Sequence, residues 1–249
     1  MELGVRGHVA IVTGGGRGIG EGIAMALGGE GCRVVVWDRD AEPANKVAAN
    51  IRAKGGEAIA VVGDVSNSAS VAEVSQTLID KYGEVQILVN NAGFSRIAPI
   101  SEMTDKQWND VIDTCLTGTF FCSRAFVPVM RKRQYGRIIN ISSRAARGDV
   151  NKVSYSAAKA GLIGFTKALA MELGADQITV NAIAPGSVPT ERVRSMPGYA
   201  GDAARASDSL VQRVGTTWDI ARGVLFLASP DAGFITGEVM MIAGGRGGL

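Results

Sequence analysis

The chain has 249 residues, 46% of them apolar, and a formal net charge of +2. That length and apolar share suit one large α/β domain with a sizeable core and exclude global disorder. Acids and bases are interspersed, so the charge points to no nucleic-acid partner and no membrane-surface partner.

The first seven residues lack the apolar stretch of a signal peptide, and no run nears 18 uninterrupted apolar residues, so a reducing, cytoplasmic setting is expected. Residues 8–13 predict the first strand. They run into Thr13, Gly14, Gly15, Gly16, Arg17, Gly18, Ile19 and Gly20, a glycine-rich turn ahead of a helical pattern. Glycine there lets backbone N–H groups approach a pyrophosphate, and the helix N-terminus adds a favourable dipole. His8 is the one histidine, which leaves no histidine cluster for a catalytic zinc, and no metal is expected. A second strand is predicted at 33–37, and Asp38 follows it. A carboxylate at that place accepts hydrogen bonds from the adenosine ribose hydroxyls and repels a 2′-phosphate, which favours NAD over NADP. Arg17 and Arg39 pull the other way, because a guanidinium holds a phosphate well.

An alanine-rich helix is expected over 40–54, stopped by Gly55 and Gly56. A third strand at 58–62 leads to Asp64 and Val65, placed to hold an adenine edge through a carboxylate and a neighbouring N–H. A helix over 67–82 begins on a capping residue, Asn67. The fourth strand, Ile87–Asn90, runs into Asn91, Ala92 and Gly93, small residues where a ring must slide past backbone. Ser95 and Arg96 come next, at the expected border of a substrate pocket. Residues 105–133 read as one long helix bent near Gly118. Cys32, Cys115 and Cys122 form no CxxC pair, and an odd count argues against a disulfide framework.

A fifth strand at 137–142 leads into Ser142 and Ser143. Adjacent residues on an extended segment point to opposite faces, so one of the two hydroxyls serves a substrate oxygen, and the sequence leaves the choice open. Arg144 and Arg147 follow, with Arg144 a candidate for meeting a substrate carboxylate or polyol. The helix Val153–Leu173 carries Tyr155 and Lys159, four residues apart and therefore on one face. A free phenol titrates near ~10, too high for a ready base at neutral pH. An ammonium one turn away, together with a positive nicotinamide, favours the phenolate. Lowering the pKa by about 3 units corresponds to ~4 kcal/mol.

Strands at 179–184 and Val239–Ile242 complete the alternation. It predicts an α/β, Rossmann-type three-layer αβα sandwich around a seven-stranded parallel sheet, ordered 3-2-1-4-5-6-7. No Pro/Ser-rich linker divides the chain, so residues 1–249 read as a single domain. The least patterned stretch, 187–213, carries Pro189, Pro197, Gly198 and Gly201 just past a strand end, where a substrate loop is expected.

Together these motifs resemble the short-chain dehydrogenase/reductase family, over essentially the whole chain from Thr13 to Gly245. The resemblance rests on the TGxxxGxG turn, Asp64 with Val65, the NNAG run at 90–93, a serine ahead of YxxxK, and Pro185 with Gly186. The runs at 234–237 and 242–245 also fit. It implies an oxidoreductase moving hydride between NAD(H) and a small secondary alcohol/ketone pair, usually as a homotetramer. Tyr155 would be the acid/base, and Lys159 would hold the nicotinamide ribose and lower the tyrosine pKa. The family's serine matches Ser143, with Ser142 the alternative. Implied cofactor contacts are the glycine turn (Gly14, Arg17, Gly18, Ile19), Asp38, Arg39, Asp64, Val65, Asn91, Ala92 and Gly93, then Pro185, Gly186, Val188 and Thr190.

Two departures stand out. Cys115 occupies the place of the family's asparagine on the fourth helix, a residue that helps hold a water leading from the lysine to solvent. A backbone carbonyl can do that with cysteine present; a helix that needs the amide to stay bent cannot. Ala243 replaces the acid of a terminal D-G-G. Two rivals accompany the main reading. One is an NADPH-dependent 3-oxoacyl thioester reductase, which Asp38 opposes. The other is a non-catalytic nucleotide-binding regulatory protein, which rests on Cys115 alone.

Overall fold

The computed structural model describes residues 3–195, 199–207 and 209–246, so Pro197 and Gly198 of the expected substrate loop lie outside the described residues. In chain order the elements are β1 (Val9–Thr13), α1 (Gly18–Gly29), β2 (Arg33–Asp38), α2 (Ala41–Ala53), β3 (Glu57–Val62), α3 (Ser68–Tyr82) and β4 (Ile87–Asn90). Then come α4 (Asp105–Ile112), α5 (Gly118–Arg133), β5 (Gly136–Ile141), α6 (Val153–Leu173) and β6 (Ile178–Pro185). The short α7 (Glu191–Arg194) and α8 (Gly201–Ala206) precede α9 (Thr217–Ala228) and β7 (Val239–Ile242). The strands form one parallel sheet in the expected order, β3-β2-β1-β4-β5-β6-β7.

Alternation along β1 explains the two cores. Ala10 and Val12 join Ile23, Leu27, Val47, Ile51 and Val224 of α1, α2 and α9 on one face. Val9 and Ile11 join Val71, Leu78, Phe126, Met130 and Leu173 of α3, α5 and α6 on the other. Strands buried on both sides need apolar residues at every position, which is why they read as continuous runs. Each fully buried Val, Ile or Leu contributes ~1.5–3 kcal/mol relative to exposure.

Residues 105–133 run as continuous helix, its α pattern interrupted just before Gly118. A π-type turn, Asp113–Thr117, lies between α4 and α5, with helical backbone throughout. An inserted residue of this kind redirects the helix axis without proline. Gly118 resumes the α-helix where a Cβ would stand 3.0 Å from the Val65 carbonyl oxygen. Helix α9 lies where the sequence reading placed no element, although Thr216 and Asp219 form a capping box at its start. Among the described residues no helix is long and apolar enough to cross a membrane, and no group of three or more His, Cys, Asp or Glu is placed to hold a metal.

Candidate active site

The carboxyl ends of the central strands open onto one cleft of about 1790 Å³. Its floor is the turn after β1. Gly14 and Gly18 hold φ of +61° and +57°, a left-handed region that residues with side chains rarely adopt. At Gly20 a Cβ would stand 2.0 Å from the Gly14 carbonyl oxygen and 2.5 Å from Asn91 Nδ2, so only glycine closes this turn. The end of β4 braces it. Asn91 Nδ2 donates to the Thr13 and Gly14 carbonyl oxygens, each at 3.0 Å, and the backbone N–H groups of Asn91 and Ala92 donate to Thr13 Oγ1. The Asn91 side-chain amide thus braces the turn, while the residue itself lines the cleft.

Around this floor stand the other expected cofactor contacts. Asp38 Oδ2 accepts from Gly16 N at 3.0 Å and Oδ1 from Asp40 N at 3.2 Å, which fixes the carboxylate beside the turn. Arg17 is drawn to Asp40 at 2.6 Å, and this contact holds the Asp40 carboxyl below its usual range. Arg39 is largely exposed and lies 4.0 Å from Asp40. Asp64 Oδ1 accepts from Ser66 N and Ser66 Oγ, with Val65 buried next to it. At the end of β6, Gly186 N donates to the Ile242 carbonyl oxygen, and a Cβ on Gly186 would come 2.7 Å from Ala243 Cα. Ile19, Gly93, Pro185, Val188 and Thr190 line the cleft as expected. Thr190 leans over the turn, its methyl 3.0 Å from where a Gly18 Cβ would stand.

The residues present fit a dinucleotide. Helix α1 begins without a side-chain cap, so its first N–H groups are free to meet a pyrophosphate. The fixed Asp38 carboxylate then stands where an adenosine ribose would lie.

At the other end of the cleft, Tyr155 and Lys159 stand one turn apart on α6. Lys159 is 3% exposed; its Nζ donates to the Ile141 carbonyl oxygen at 2.6 Å and lies 5.5 Å from the Tyr155 ring centre. The two serines diverge, as alternation requires. Ser142 is buried and donates from Oγ to the Lys159 carbonyl oxygen at 2.8 Å, pinning α6 to the end of β5. Ser143 keeps extended backbone, accepts from Ala145 N at 3.1 Å, and lines the cleft with Tyr155, close enough that its hydroxyl opposes the rise of the phenol pKa. Ser143 is therefore the serine that stands beside the tyrosine.

The acidic phenol expected from the sequence is not what the protein groups alone produce. Burial pushes Tyr155 above its ordinary value and the Cys115 thiol adds to the rise, while Ser143 and Arg192 oppose it. Burial also lowers the Lys159 ammonium, the cation expected to acidify the phenol.

Cys115 and Arg144 are the expected site residues that the structure leaves off the cleft wall. Cys115 is buried in the π-type turn. Its Sγ donates to the Phe94 carbonyl oxygen at 3.6 Å, and its own carbonyl accepts from Thr119 Oγ1 at 3.1 Å. The helix is bent with cysteine in place, so the bend needs no asparagine amide. Arg144 misses the cleft because Ser143 takes the inward position and the chain then turns into a 3-10 helix, Arg144–Arg147; Arg147 is likewise off the wall. Among the cleft residues that sequence reasoning passed over are Phe94 and Arg192. Phe94 packs with Tyr155 against Val111, Cys115 and Ala158. Arg192 carried no signal beyond its place in the unpatterned 187–213 stretch.

With the geometry in view, the comparisons with known proteins agree. The family model described as "short chain dehydrogenase" matches residues 8–198. The chain is 41% identical to the short-chain reductase protein NovJ of Streptomyces niveus, over 96% of this chain and 93% of that one. It is also 41% identical to the 3-oxoacyl-[acyl-carrier-protein] reductase FabG of Pseudomonas aeruginosa, over 98% of each chain. A crystal structure of a variant actinorhodin polyketide ketoreductase with NADPH superposes with a TM-score of 0.93 at 34% identity, covering 98% of each chain.

Proposed function

The chain belongs to the short-chain dehydrogenase/reductase family of oxidoreductases, and from that premise we propose that it exchanges hydride between NAD(H) and a secondary alcohol/ketone pair, with Tyr155 as acid/base. The observation that carries this reading is the meeting of the Ser143 hydroxyl, the Tyr155 phenol and the Lys159 ammonium in the cleft floored by the glycine turn.

Each group has a task in it. Ser143 donates to the substrate oxygen and steadies the charge that develops there. Tyr155 gives its proton to that oxygen during reduction and takes it back during oxidation. Lys159, held by the Ile141 carbonyl, would hold the nicotinamide ribose hydroxyls with its ammonium. Asp38 receives the adenosine ribose, and the α1 N-terminus receives the pyrophosphate. The nicotinamide, when bound, supplies or accepts the hydride and, oxidised, brings a positive charge. Burial of Lys159 and the desolvation of Tyr155 keep water away, which strengthens every charge interaction at the reacting atoms.

The fixed Asp38 carboxylate supports NAD, since a 2′-phosphate would face it. The second reading, an NADPH-dependent 3-oxoacyl thioester reductase, draws support from the Pseudomonas relative, from the ketoreductase crystallised with NADPH and from the exposed Arg39. The ratio of kcat/KM for NADH to that for NADPH separates them: above one for the first, below one for the second. The regulatory rival rested on Cys115, and the helix bend it doubted is present. Copies would join as a homotetramer through exposed apolar side chains of α5 and α6 such as Phe120 and Met171.

The test of the central assignment is Tyr155→Phe. Turnover is expected to fall at least ~100-fold, the usual scale for general acid–base catalysis, with NADH affinity unchanged. Near-normal turnover would contradict the assignment.

A further inference from the structure

We propose that the substrate carries an oxyanion, a carboxylate or a phosphate, which Arg96 and Arg192 bind beside the reacting carbonyl; this rests on the oxidoreductase reading above. Two guanidinium groups meet on one aromatic ring in the cleft. The carbon of the Arg96 guanidinium lies 5.1 Å from the Phe94 ring centre and that of Arg192 lies 5.2 Å from it. Arg96 follows β4 and Arg192 sits in α7, so the fold alone brings them together. Both line the cleft.

Among the described residues neither has an acid partner. Among the described residues, Arg17, Arg131, Arg194 and Arg213 each pair with an aspartate, whereas Arg96 and Arg192 form no ion pair. The two cations work against each other. Partial desolvation lowers the proton affinity of the exposed Arg192 first, and the charges of Arg96 and Arg39 lower it further. Like charges held within reach of one ring, with no carboxylate between them, are relieved by an anion that arrives with the ligand. Both guanidinium groups lie over the Phe94 ring, and a planar fork of donors suits the two oxygens of a carboxylate or phosphate.

The anion lies near the chemistry. Phe94 and Tyr155 pack in the same small apolar cluster, and the Arg192 charge reaches the Tyr155 phenol. A substrate whose carbonyl meets Ser143 and Tyr155 therefore has its charged group only a few bonds away, or carries it on an attached group that passes the same rim.

Calorimetric titration of NADH-saturated Tyr155→Phe protein tests this without turnover. One probe pair is acetoacetate and methyl acetoacetate, the same 3-oxo group with and without the charge. The other is acetoacetyl-CoA and S-acetoacetyl-N-acetylcysteamine, the same thioester with and without phosphates. We expect at least tenfold tighter binding of the charged member of one pair, and loss of that preference on adding Arg192→Gln or Arg96→Gln, with NADH affinity unchanged. A preference within the first pair assigns the oxyanion to a carboxylate, and within the second to a carrier phosphate. No preference in either pair, a preference that survives both substitutions, an equal loss of NADH affinity, or no binding of any probe overturns the proposal. Failure of the underlying reading shows separately, as wild-type turnover no greater than that of Tyr155→Phe.

Discussion

At the β1 end of the cleft the backbone itself makes the site, whereas between Phe94 and Arg192 the side chains do. The first region is a turn whose atoms touch: a Gly20 Cβ would strike the Gly14 carbonyl oxygen, and Asn91, Thr13 and Asp38 lock the strands around it with hydrogen bonds of 3.0–3.3 Å. The second is a rim of exposed, charged side chains on short elements, with α7 only four residues long. The contrast separates two functions. Holding a cofactor that is the same in every turnover favours a rigid backbone cradle. Choosing a substrate falls to residues that can change without disturbing the sheet.

The largest effect should come from the rigid half. Gly20→Ala places a carbon where backbone already stands. Overpacking costs ~1–3 kcal/mol, and a backbone neighbour puts this case at the top of that range. At ~2–4 °C per kcal/mol for a chain of this size, the melting temperature is expected to fall about 6–12 °C, and NADH binding, followed by fluorescence, to be lost. The same change at Gly201, where φ is +85° but no heavy atom lies within 4 Å of the added carbon, should cost only ~1–2 kcal/mol and leave NADH binding intact. Equal losses at the two positions would erase the comparison.

The same contrast decides what could be read from the sequence. Strands buried on both faces advertise themselves as unbroken apolar runs, and the sheet order follows from alternation and crossover handedness. The glycine turn was legible because only glycine tolerates its geometry, and Tyr155 with Lys159 because four residues make one helical turn. Ser142 and Ser143 could not be told apart until the end of β5 was placed, since a shift of one residue exchanges their faces. The π-type turn at Asp113–Thr117 leaves no compositional trace, because any residues can fill it. Arg192 was illegible for a different reason: a charged residue on a loop is ordinarily solvated, and only the fold sets it on the Phe94 ring.

A smaller effect sharpens the other side. Asp219 anchors the point where the substrate segment rejoins the core. Its carboxylate accepts from Arg213 Nη1 at 2.6 Å, Arg213 Nη2 at 2.8 Å, and Thr216 N and Oγ1, each at 2.8 Å. The Arg213 contact, aided by the Thr216 bonds, holds its pKa well below the usual carboxylate range. The stability it brings is therefore present above pH ~4 and is lost as pH falls through the lowered value. Asp219→Asn should lower the melting temperature by about 2–4 °C at neutral pH, on the scale of ~1 kcal/mol for a partly exposed pair that also caps a helix. The gap between variant and wild type should close as the pH is taken toward 2. A gap that persists unchanged in acid would remove the carboxylate from the account.

The central claim is electrostatic: the protein alone makes the Tyr155 phenol a weaker acid than usual, and the charge of the bound oxidised cofactor makes it a usable base. Ultraviolet difference titration of wild type against Tyr155→Phe, with and without NAD⁺, isolates that one phenol. The account predicts titration above ~10 in the free protein and a downward move of at least about one unit with NAD⁺ bound. A phenol that titrates at the same pH in both states, or already below its ordinary value in the free protein, would contradict it.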